Sequence, residues 1–238
     1  MAVADLIRLS GVGFSYGPQR VVREGVDLAV GAGERVALLG ANGCGKTTIL
    51  HLIVGLLRPR CGEIEAFGAV RRAERDFHEV RRRAGLLFQD PEDQLFCPTV
   101  VEDVAFGPIN LGRSHAEAVD VASATLASLG LEGYEHRVTY KLSGGEKRLV
   151  ALAAVLAMAP DVVLLDEPTG DLDARSRRHL VDALARGKEA MLLVTHDLKT
   201  VRTLCTRAVL LGEGRIVADR PAADLLADAD LLSRHGVG

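Results

Sequence analysis

The stretch VALLGANGCGKT, residues 36–47, joins an apolar run to a glycine-rich loop, and a helical pattern follows it. The loop from Gly40 to Thr47 fits the spacing G-x-x-x-x-G-K-[ST], with the expected strand before it and helix after it. Glycines let the backbone curl so that successive N–H groups point inward at phosphate oxygens, and the helix N-terminus adds partial positive charge. The stretch therefore predicts a P-loop, with an ordinary glycine-rich turn as the alternative.

Individual side chains of this loop suit the same chemistry. Lys46 supplies a full positive charge to the outer phosphates, and the Thr47 hydroxyl is a ligand for Mg²⁺. Cys44 lies among the loop amides, where it is either a redox switch or a small side chain tolerated beside the phosphates, and we favour the second. The residues predicted to contact the nucleotide are Gly40, Asn42, Gly43, Cys44, Gly45, Lys46, Thr47 and Thr48.

Two acids follow a second apolar run. Val162 to Leu165 has the length and composition of a buried strand, and Asp166 and Glu167 come directly after it. Ligands bind at the carboxyl ends of strands in open α/β sheets. We expect Asp166 to hold Mg²⁺, directly or through water, and Glu167 to polarise the attacking water, a contribution on the order of 10²–10⁴ in rate. A solvated turn is the alternative for this pair.

Short apolar runs alternate with helical patterns, which predicts a mostly parallel sheet covered on both faces. The helix after the P-loop is expected to carry an apolar stripe as far as Leu57 and to stop before Pro59. The segments flanking residues 31–33 predict a hairpin or a sheet corner. The strand-like runs are 36–39, 85–88, 162–165, 191–194 and 208–211, and further helices are expected after Ser114 and Ser143.

Composition narrows the classes of function. The chain has 238 residues, 48% of them hydrophobic, which suffices for one large α/β domain or one domain with an inserted lobe. The formal net charge of −3 offers no global basic field for nucleic acid. Scattered cysteines without a C-x-x-C pair favour free thiols in a reducing cytosol. No signal peptide is evident, and the longest apolar run, residues 149–159, is too short to span a bilayer.

A second glycine-rich helix start occurs about a hundred residues after the P-loop. In LSGGEKR, residues 142–148, Ser143 and Glu146 have the spacing of a capping box. A cap does not require two consecutive glycines, which lower helix stability. One nucleotide needs only one such loop, so the second requires another explanation.

Together these segments resemble the ATPase domain of the ATP-binding cassette (ABC) family, and LSGGEKR resembles that family's signature sequence. The resemblance covers nearly the whole chain. It implies an α/β P-loop NTPase fold with a mostly parallel central sheet, an N-terminal antiparallel β subdomain and an inserted α-helical subdomain. Residues 1–238 would form a single domain, with the helical subdomain at about residues 97–159.

The resemblance also implies partners and cofactors. In that family two ATPase domains sit head to tail, and the signature of one closes over the nucleotide held by the P-loop of the other. We therefore expect ATP and Mg²⁺ as cofactors and a second ATPase subunit, either an identical copy or a paralogue. The residues assigned to the partner's nucleotide are Ser143, Gly144, Gly145 and Glu146.

Four further positions match the family residue by residue. Gln89 resembles the glutamine that touches Mg²⁺ and links to the transmembrane partner, and Asp173 resembles the aspartate at the dimer seam. His196 resembles the switch histidine at the γ-phosphate, with a structural strand-end residue as the alternative. Tyr16 resembles the aromatic residue that stacks on adenine, although Tyr16 and Phe14 could also be core residues. The implied catalytic residues are Lys46, Glu167 and His196.

One segment narrows the resemblance. FQDPEDQLFCPTVVEDVAFGPINLG, residues 88–112, is similar to the ATPase subunits of energy-coupling-factor importers, particularly those for cobalt and nickel. Its apolar residues predict either a groove near Gln89 to Phe106 for an integral-membrane subunit or the inserted lobe's own core. The implied location is the cytoplasmic face of the cell membrane.

Other functions remain as alternatives at the level of sequence. The alternative most similar to the favoured function is the ATPase of a vitamin energy-coupling-factor importer or of another ABC transporter. A soluble ABC ATPase acting on DNA or ribosomes is disfavoured, because the chain has one cassette and no sustained heptads between P-loop and signature. A small-molecule kinase is disfavoured by the signature and by His196. No nucleic-acid partner is expected.

Overall fold

The computed structural model describes residues 5–16, 21–170 and 172–237, and for residues 21–24 it describes the backbone alone. Within these ranges ten strands form two sheets. The strands are β1 (Asp5–Ser15), β2 (Val21–Gly31), β3 (Arg35–Leu39), β4 (Cys61–Ala66), β5 (Ala69–Val70), β6 (Ala84–Leu87), β7 (Val162–Asp166), β8 (Ala190–Val194), β9 (Arg207–Gly212) and β10 (Arg215–Pro221).

The central sheet has six strands in the order β10-β9-β3-β8-β7-β6, and only the β9–β10 pair is antiparallel. Its interior strands are apolar along most of their length, since both faces of the sheet are buried, and charged residues lie at strand ends. Ala37 and Leu39 point into one core, whereas Val36 and Leu38 point into the other. This confirms the predicted mostly parallel sheet, and it brings the carboxyl ends of β3, β7 and β8 to one edge.

The second sheet is antiparallel, in the order β2-β1-β4-β5. Strand β2 pairs with β1, while β3 pairs with β8 and β9, so the turn at residues 31–34 is a corner between sheets and not a hairpin. The Glu34 N–H donates to the Gly31 carbonyl at 3.1 Å and closes this turn. The antiparallel sheet covers the core face that contains Val36 and Leu38.

The helix after the P-loop, α1 (Lys46–Ile53), is shorter than predicted. Gly55 adopts a φ of +73° and ends the helix in a Schellman motif, in which the Leu56 N–H donates to the His51 carbonyl at 2.9 Å. A Cβ at Gly55 would lie 2.2 Å from the Phe77 ring, so only glycine fits. Leu56 is therefore past the helix end and 52% exposed, and the expected stripe to Leu57 is wrong.

The remaining helices are α2 (Phe77–Arg83), α3 (Val100–Asn110), α4 (His115–Ser128), α5 (Gly144–Leu156), α6 (Ala174–Arg186), α7 (Leu198–Leu204), α8 (Ala222–Ala227) and α9 (Ala229–Arg234). Helices α3, α4 and α5 lie between β6 and β7 in the chain, and their apolar faces share one core with the central sheet. The subdomain boundary at about residues 97–159 stays a prediction.

The segment after β10 folds back onto the sheet. Leu225, Leu232 and Val237 are buried in the same core as Leu210 of β9. The described part of the chain contains no helix that is long and apolar enough to cross a membrane.

Candidate functional site

The P-loop lies at the carboxyl end of β3, and its glycines are conformationally required. Gly40, Gly43 and Gly45 adopt φ values of +149°, +73° and +92°, which favour glycine over residues with a Cβ. At Gly40 a Cβ would also lie 2.4 Å from the Leu211 carbonyl oxygen and 2.7 Å from Cys44 Sγ. The start of the loop is therefore packed closely between β9 and Cys44, and its glycines allow the curled backbone that the sequence predicts for phosphate binding.

Lys46 is buried at the start of α1, with 7% of its surface exposed. Its Nζ donates to the carbonyls of Gly40 and Ala41 at 2.7 and 3.1 Å. An ammonium group held in this way carries its positive charge inside the loop, where a bound phosphate would meet it.

Asp166 is buried at the end of β7 and accepts a hydrogen bond from Thr47. Burial raises the pKa of Asp166 above its ordinary value, and the Thr47 hydrogen bond opposes this effect. Within the described residues the buried Oδ1 of Asp166 meets no hydrogen-bond donor. A carboxylate oxygen without a partner next to a threonine hydroxyl is a suitable donor set for Mg²⁺, so these residues fit the predicted ion.

Glu167 and His196 meet above this site. Glu167 Oε2 lies 3.0 Å from His196 Nδ1 and accepts the His196 backbone N–H at 3.3 Å. Glu167 has a φ of +44°, which is rare for a residue with a Cβ and costs about 1–3 kcal/mol, and its N–H donates to the Val194 carbonyl at 2.9 Å. Strained backbone of this kind is found more often at active sites than elsewhere, which is consistent with the role predicted for Glu167.

Tyr16 lies at the edge of the P-loop and not in the core. Its ring is 60% exposed and packs edge-on against Phe14, with centroids 4.8 Å apart. Its hydroxyl shares a hydrogen bond of 3.0 Å with Thr48 Oγ1. Phe14, in contrast, is a core residue.

Gln89 lies between the P-loop and α5, and the residue that anchors it was missed by sequence reasoning. Arg148 is buried in α5 and donates to the carbonyl of Phe88 at 3.2 Å and to that of Gln89. Gln94 adds a second link, because its side chain donates to the Ala151 carbonyl at 3.3 Å. Arg148 belongs to the LSGGEKR stretch, but a sequence does not show which distant carbonyls it reaches.

His51 is a second residue that sequence reasoning missed. It follows Thr47 by one helical turn of α1 and lines the same cleft. Burial lowers the pKa of His51, and the negative charge of Asp166 opposes this effect. Its i, i+4 spacing from Thr47 is the only sequence signal that could have placed it at the site.

The signature forms the predicted cap of α5. The Ser143 backbone N–H and hydroxyl each donate to Glu146 Oε2 at 2.8 Å, and the Glu146 N–H donates back to Ser143 Oγ at 3.4 Å. The two glycines differ in their surroundings. A Cβ on Gly144 would meet nothing within 4 Å in the described structure, whereas one on Gly145 would lie 2.6 Å from Ser176 Oγ. Gly145 is therefore required for packing against α6, and Gly144 faces open space.

Asp173 caps α6. Its Oδ1 accepts the N–H groups of Arg175 and Ser176 at 2.8 and 2.9 Å, and its Oδ2 accepts the Ser176 hydroxyl at 2.8 Å. The Ser176 backbone hydrogen bond is the main reason that the pKa of Asp173 is lowered. Asp171, two residues before Asp173, lies outside the described residues.

Most of the predicted residues line two adjoining open clefts, whereas Gly40, Ser143, Gly145, Glu146 and Asp173 are not among the residues of their walls. The larger, of about 990 Å³, contains Thr47, Gln89, Gly144, Glu167 and His196 among its walls. The smaller, of about 670 Å³, contains Tyr16 together with the P-loop. The sites are continuous, because Thr47, Gln89, Asp166 and Glu167 border both clefts.

A P-loop, a buried strand-end aspartate and a glutamate–histidine pair on a parallel sheet define a P-loop nucleoside triphosphatase. A sequence profile described as "ABC transporter" matches residues 23–170. A Brucella suis biovar 1 protein named "Putative ABC transporter ATP-binding protein" is 52% identical over 83% of this chain and 82% of its own length. The chain belongs to the ABC transporter family, and it is an ATP-binding subunit with ATPase activity.

Two solved structures share the whole fold. CbiO1 from Clostridium perfringens, described as part of the ABC transporter complex CbiONQ, superposes with a TM-score of 0.84 at 28% identity and covers 97% of this chain and 94% of its own. The ATP-binding cassette MJ0796, described as dimeric in a post-hydrolysis state with ADP and Pi, gives 0.83 at 26% identity and covers 91% of this chain and 98% of its own. These similarities confirm the predicted fold class and the predicted ATPase activity.

Proposed function

We propose that this chain is the ATPase subunit of an energy-coupling-factor importer for cobalt or nickel ions, and that it hydrolyses ATP at sites shared between two ATPase subunits. The observation that carries the hydrolytic part of the proposal is the pairing of Glu167 with His196 in the cleft that Thr47 and Asp166 also line. This arrangement supplies a base, a partner that orients it and a metal-binding carboxylate at one edge of the sheet.

The geometry of the site supports the following hydrolytic roles. The P-loop amides and Lys46 bind the β- and γ-phosphates. Thr47, Asp166 and Gln89 would hold Mg²⁺, which when bound neutralises phosphate charge. Glu167 accepts a hydrogen bond from the attacking water and polarises it, and His196 both orients that carboxylate and lies where the γ-phosphate is expected. Tyr16 stacks on the adenine in this proposal, and its exposure beside the P-loop supports that role.

Sharing of sites between subunits accounts for the second glycine-rich helix start. Gly144 is open on the side where a Cβ would point, and the first N–H groups of α5 have no acceptor within their own helix. Asp173 and the signature lie at neighbouring helix starts, because Gly145 packs against Ser176. The dimeric state of MJ0796 and its bound ADP and Pi support the same arrangement for this chain.

The membrane partner is proposed to dock at an exposed aromatic pair. Phe96 and Phe106 are 66% and 46% exposed, and their rings meet edge-on with centroids 4.9 Å apart. We call the area around these two rings the docking surface. Neighbouring exposed aromatic residues are typical of binding sites. Leu95 packs against the core beside them, so the segment contributes both to the lobe's interior and to this surface. Docking there places the chain at the cytoplasmic face of the membrane.

The cargo is proposed from the segment 88–112, and the similarity to CbiO1 supports the importer class. The test is to purify the chain from its native membrane, identify the integral-membrane partner, and measure uptake of Co²⁺, Ni²⁺ and vitamins into vesicles that contain the complex and ATP. ATP-dependent Co²⁺ or Ni²⁺ uptake that disappears with Glu167→Gln supports the proposal. Uptake of vitamins alone would overturn the assignment of cobalt or nickel as the cargo. The absence of any integral-membrane partner would overturn the assignment of the chain to an importer.

A further inference from the structure

A buried carboxylate outside the nucleotide site joins two segments that are far apart in sequence. Asp103 of α3 is 4% exposed. Its Oδ1 accepts the backbone N–H groups of Phe96 and Cys97 at 3.0 and 2.9 Å, and its Oδ2 accepts the Thr139 hydroxyl at 3.0 Å. Such burial of a carboxylate is stable only because these donors replace water.

The neighbouring acid shows that helix capping does not account for Asp103. Glu102 accepts the Thr99 backbone N–H and hydroxyl at 2.9 and 2.7 Å and thereby caps α3 itself. The hydrogen bonds described for the Asp103 carboxylate lead away from its own helix, to the loop before α3 and to the segment before α5. Asp103 is thus a link between segments.

The two linked segments have distinct places in the proposed function. Phe96 belongs to the docking surface. Thr139 belongs to residues 137–142, which we call the strap, and the strap leads directly into Ser143. Backbone hydrogen bonds hold the strap against the start of α3, from Val100 N–H to the Arg137 carbonyl and from Thr139 N–H to the Pro98 carbonyl, both 3.1 Å. The Asp103 carboxylate adds side-chain hydrogen bonds between the same two segments, from the loop before α3 to Thr139 of the strap.

We propose that Asp103 is a positioning residue that fixes the signature relative to the docking surface through its hydrogen bond with Thr139. A displacement of Phe96 moves an N–H group bonded to Oδ1, and the same rigid carboxylate holds the strap through Oδ2. This role rests on the proposed function, since it requires that the signature act on a nucleotide in the partner subunit. It predicts that loosening the link impairs turnover without impairing the chain's own P-loop.

The test uses Thr139→Val, which has nearly the same shape as threonine but no hydroxyl, and which leaves both backbone bonds of the strap in place. Thr139→Ser retains the hydroxyl and is the matched variant. Thr125→Val is a control for hydroxyl loss elsewhere in the helical region, because Thr125 Oγ1 donates only to the Val121 carbonyl within α4 among the contacts described. Asp103→Asn is the conservative variant: its amide oxygen can accept the two N–H groups and its NH₂ can donate to the Thr139 hydroxyl.

Four quantities are measured on the full chain: kcat at saturating ATP and high protein concentration, the affinity of dilute chain for a fluorescent ATP analogue, Tm, and hydrogen exchange of peptides covering residues 94–99 and 138–146. For Thr139→Val we expect kcat to fall about five- to tenfold, the factor that corresponds to one buried hydrogen bond. Exchange should rise in 138–146 only, and affinity for the analogue should be unchanged. Thr139→Ser, Thr125→Val and Asp103→Asn should retain most of the wild-type kcat.

Two results would overturn the inference. One is a Thr139→Val kcat equal to that of Thr139→Ser. The other is a loss of kcat matched by equal losses in nucleotide affinity and Tm, which a purely structural role would give. If Thr139→Val does not fold, a normal kcat in folded Asp103→Ala would count equally against it. Failure of the proposed function looks different, because wild-type activity per chain would then not depend on protein concentration.

Discussion

Glu167 Oε2 and His196 Nδ1 lie 3.0 Å apart, although 29 residues separate them in the chain. The contact forms because β7 and β8 are parallel neighbours whose carboxyl ends meet, with Asp166 opposite Val194. The imidazole is 71% exposed while the carboxylate side chain is only 12% exposed, so His196 covers the acid on its open side. The pair therefore combines a sheltered carboxylate with an imidazole that is open to solvent.

Glu167→Gln should bind ATP but hydrolyse it slowly. The amide keeps the shape of the side chain but is a poor acceptor for the water proton, so we expect kcat to fall on the order of 10²–10⁴. Because hydrolysis no longer removes the γ-phosphate, the variant should accumulate as an ATP-dependent dimer on gel filtration. Glu132→Gln, at an exposed position, is the matched control. Hydrolysis by Glu167→Gln at the wild-type rate would remove Glu167 from this role.

His196→Ala and Glu167→Gln should be non-additive in a double-mutant cycle. The two side chains act as one unit, so removing the second after the first should lower kcat much less than removing it from the wild type. The measurement is kcat for wild type, both single variants and the double variant, with ATP affinity as a control for binding. Strictly multiplicative losses would show that the contact seen here has no part in turnover.

The two signature glycines should respond differently to substitution. Gly144→Asp should fold and bind ATP normally, since its Cβ enters open space, yet lose turnover because the new carboxylate repels the partner's γ-phosphate. Gly145→Ala should lower stability by about 1–3 kcal/mol, since its Cβ would press against Ser176.

Thermal melting and ATP binding distinguish these effects, and Ser176→Gly is the compensating change for Gly145→Ala. A normal Tm in Gly145→Ala, or weaker ATP binding by the dilute Gly144→Asp chain, would contradict the arrangement of the two glycines described above.

The capping carboxylate of α5 should give a pH-dependent contribution to stability. The Tyr134 hydroxyl, donating at 2.7 Å, and the Ser143 N–H lower the pKa of Glu146 from its ordinary 4.5. Because the folded pKa is the lower one, this stabilisation is fully present above pH 4.5 and is lost as the pH falls through the folded pKa. The Tm difference between wild type and Glu146→Gln should therefore shrink below pH 4.5. A difference that grows with acidity would contradict the assignment.

Cysteine reactivity should report the environment of Asp103. Burial and the nearby negative charge of Asp103 raise the pKa of the Cys97 thiol to about 11, so the thiol stays protonated at pH 8. We expect iodoacetamide at pH 8 to label exposed Cys61 well before Cys97, and the rate at Cys97 to keep rising towards pH 11. Peptide mass spectrometry measures both rates in one sample. A Cys97 rate that levels off below pH 9 would contradict this environment.

The sequence predicted those features that local patterns determine. The P-loop, the strand ending in Asp166 and the capping box of Ser143 depend on neighbouring residues, and each is found where it was expected. The end of α1 was predicted too late, because the apolar residues Leu56 and Leu57 continue the helical pattern while Gly55 turns the chain into a left-handed conformation.

The rest depends on contacts between distant residues. No local pattern shows that Arg148 reaches the carbonyl of Gln89, that Ser176 fills the space beside Gly145, or that Asp103 binds Thr139. Gly145 illustrates the difference: the sequence indicates that a glycine is special there, but packing against α6 became evident only from the structure. The roles of individual site residues stay predictions until they are tested.

The pairing of two subunits is tested by the specific ATPase activity of the wild-type chain over a wide dilution series, with light scattering on the same samples. If each γ-phosphate is held between the P-loop of one subunit and the signature of another, activity per chain must fall together with the fraction of dimer. Constant activity per chain from a species that stays monomeric throughout would show that hydrolysis does not require a second subunit.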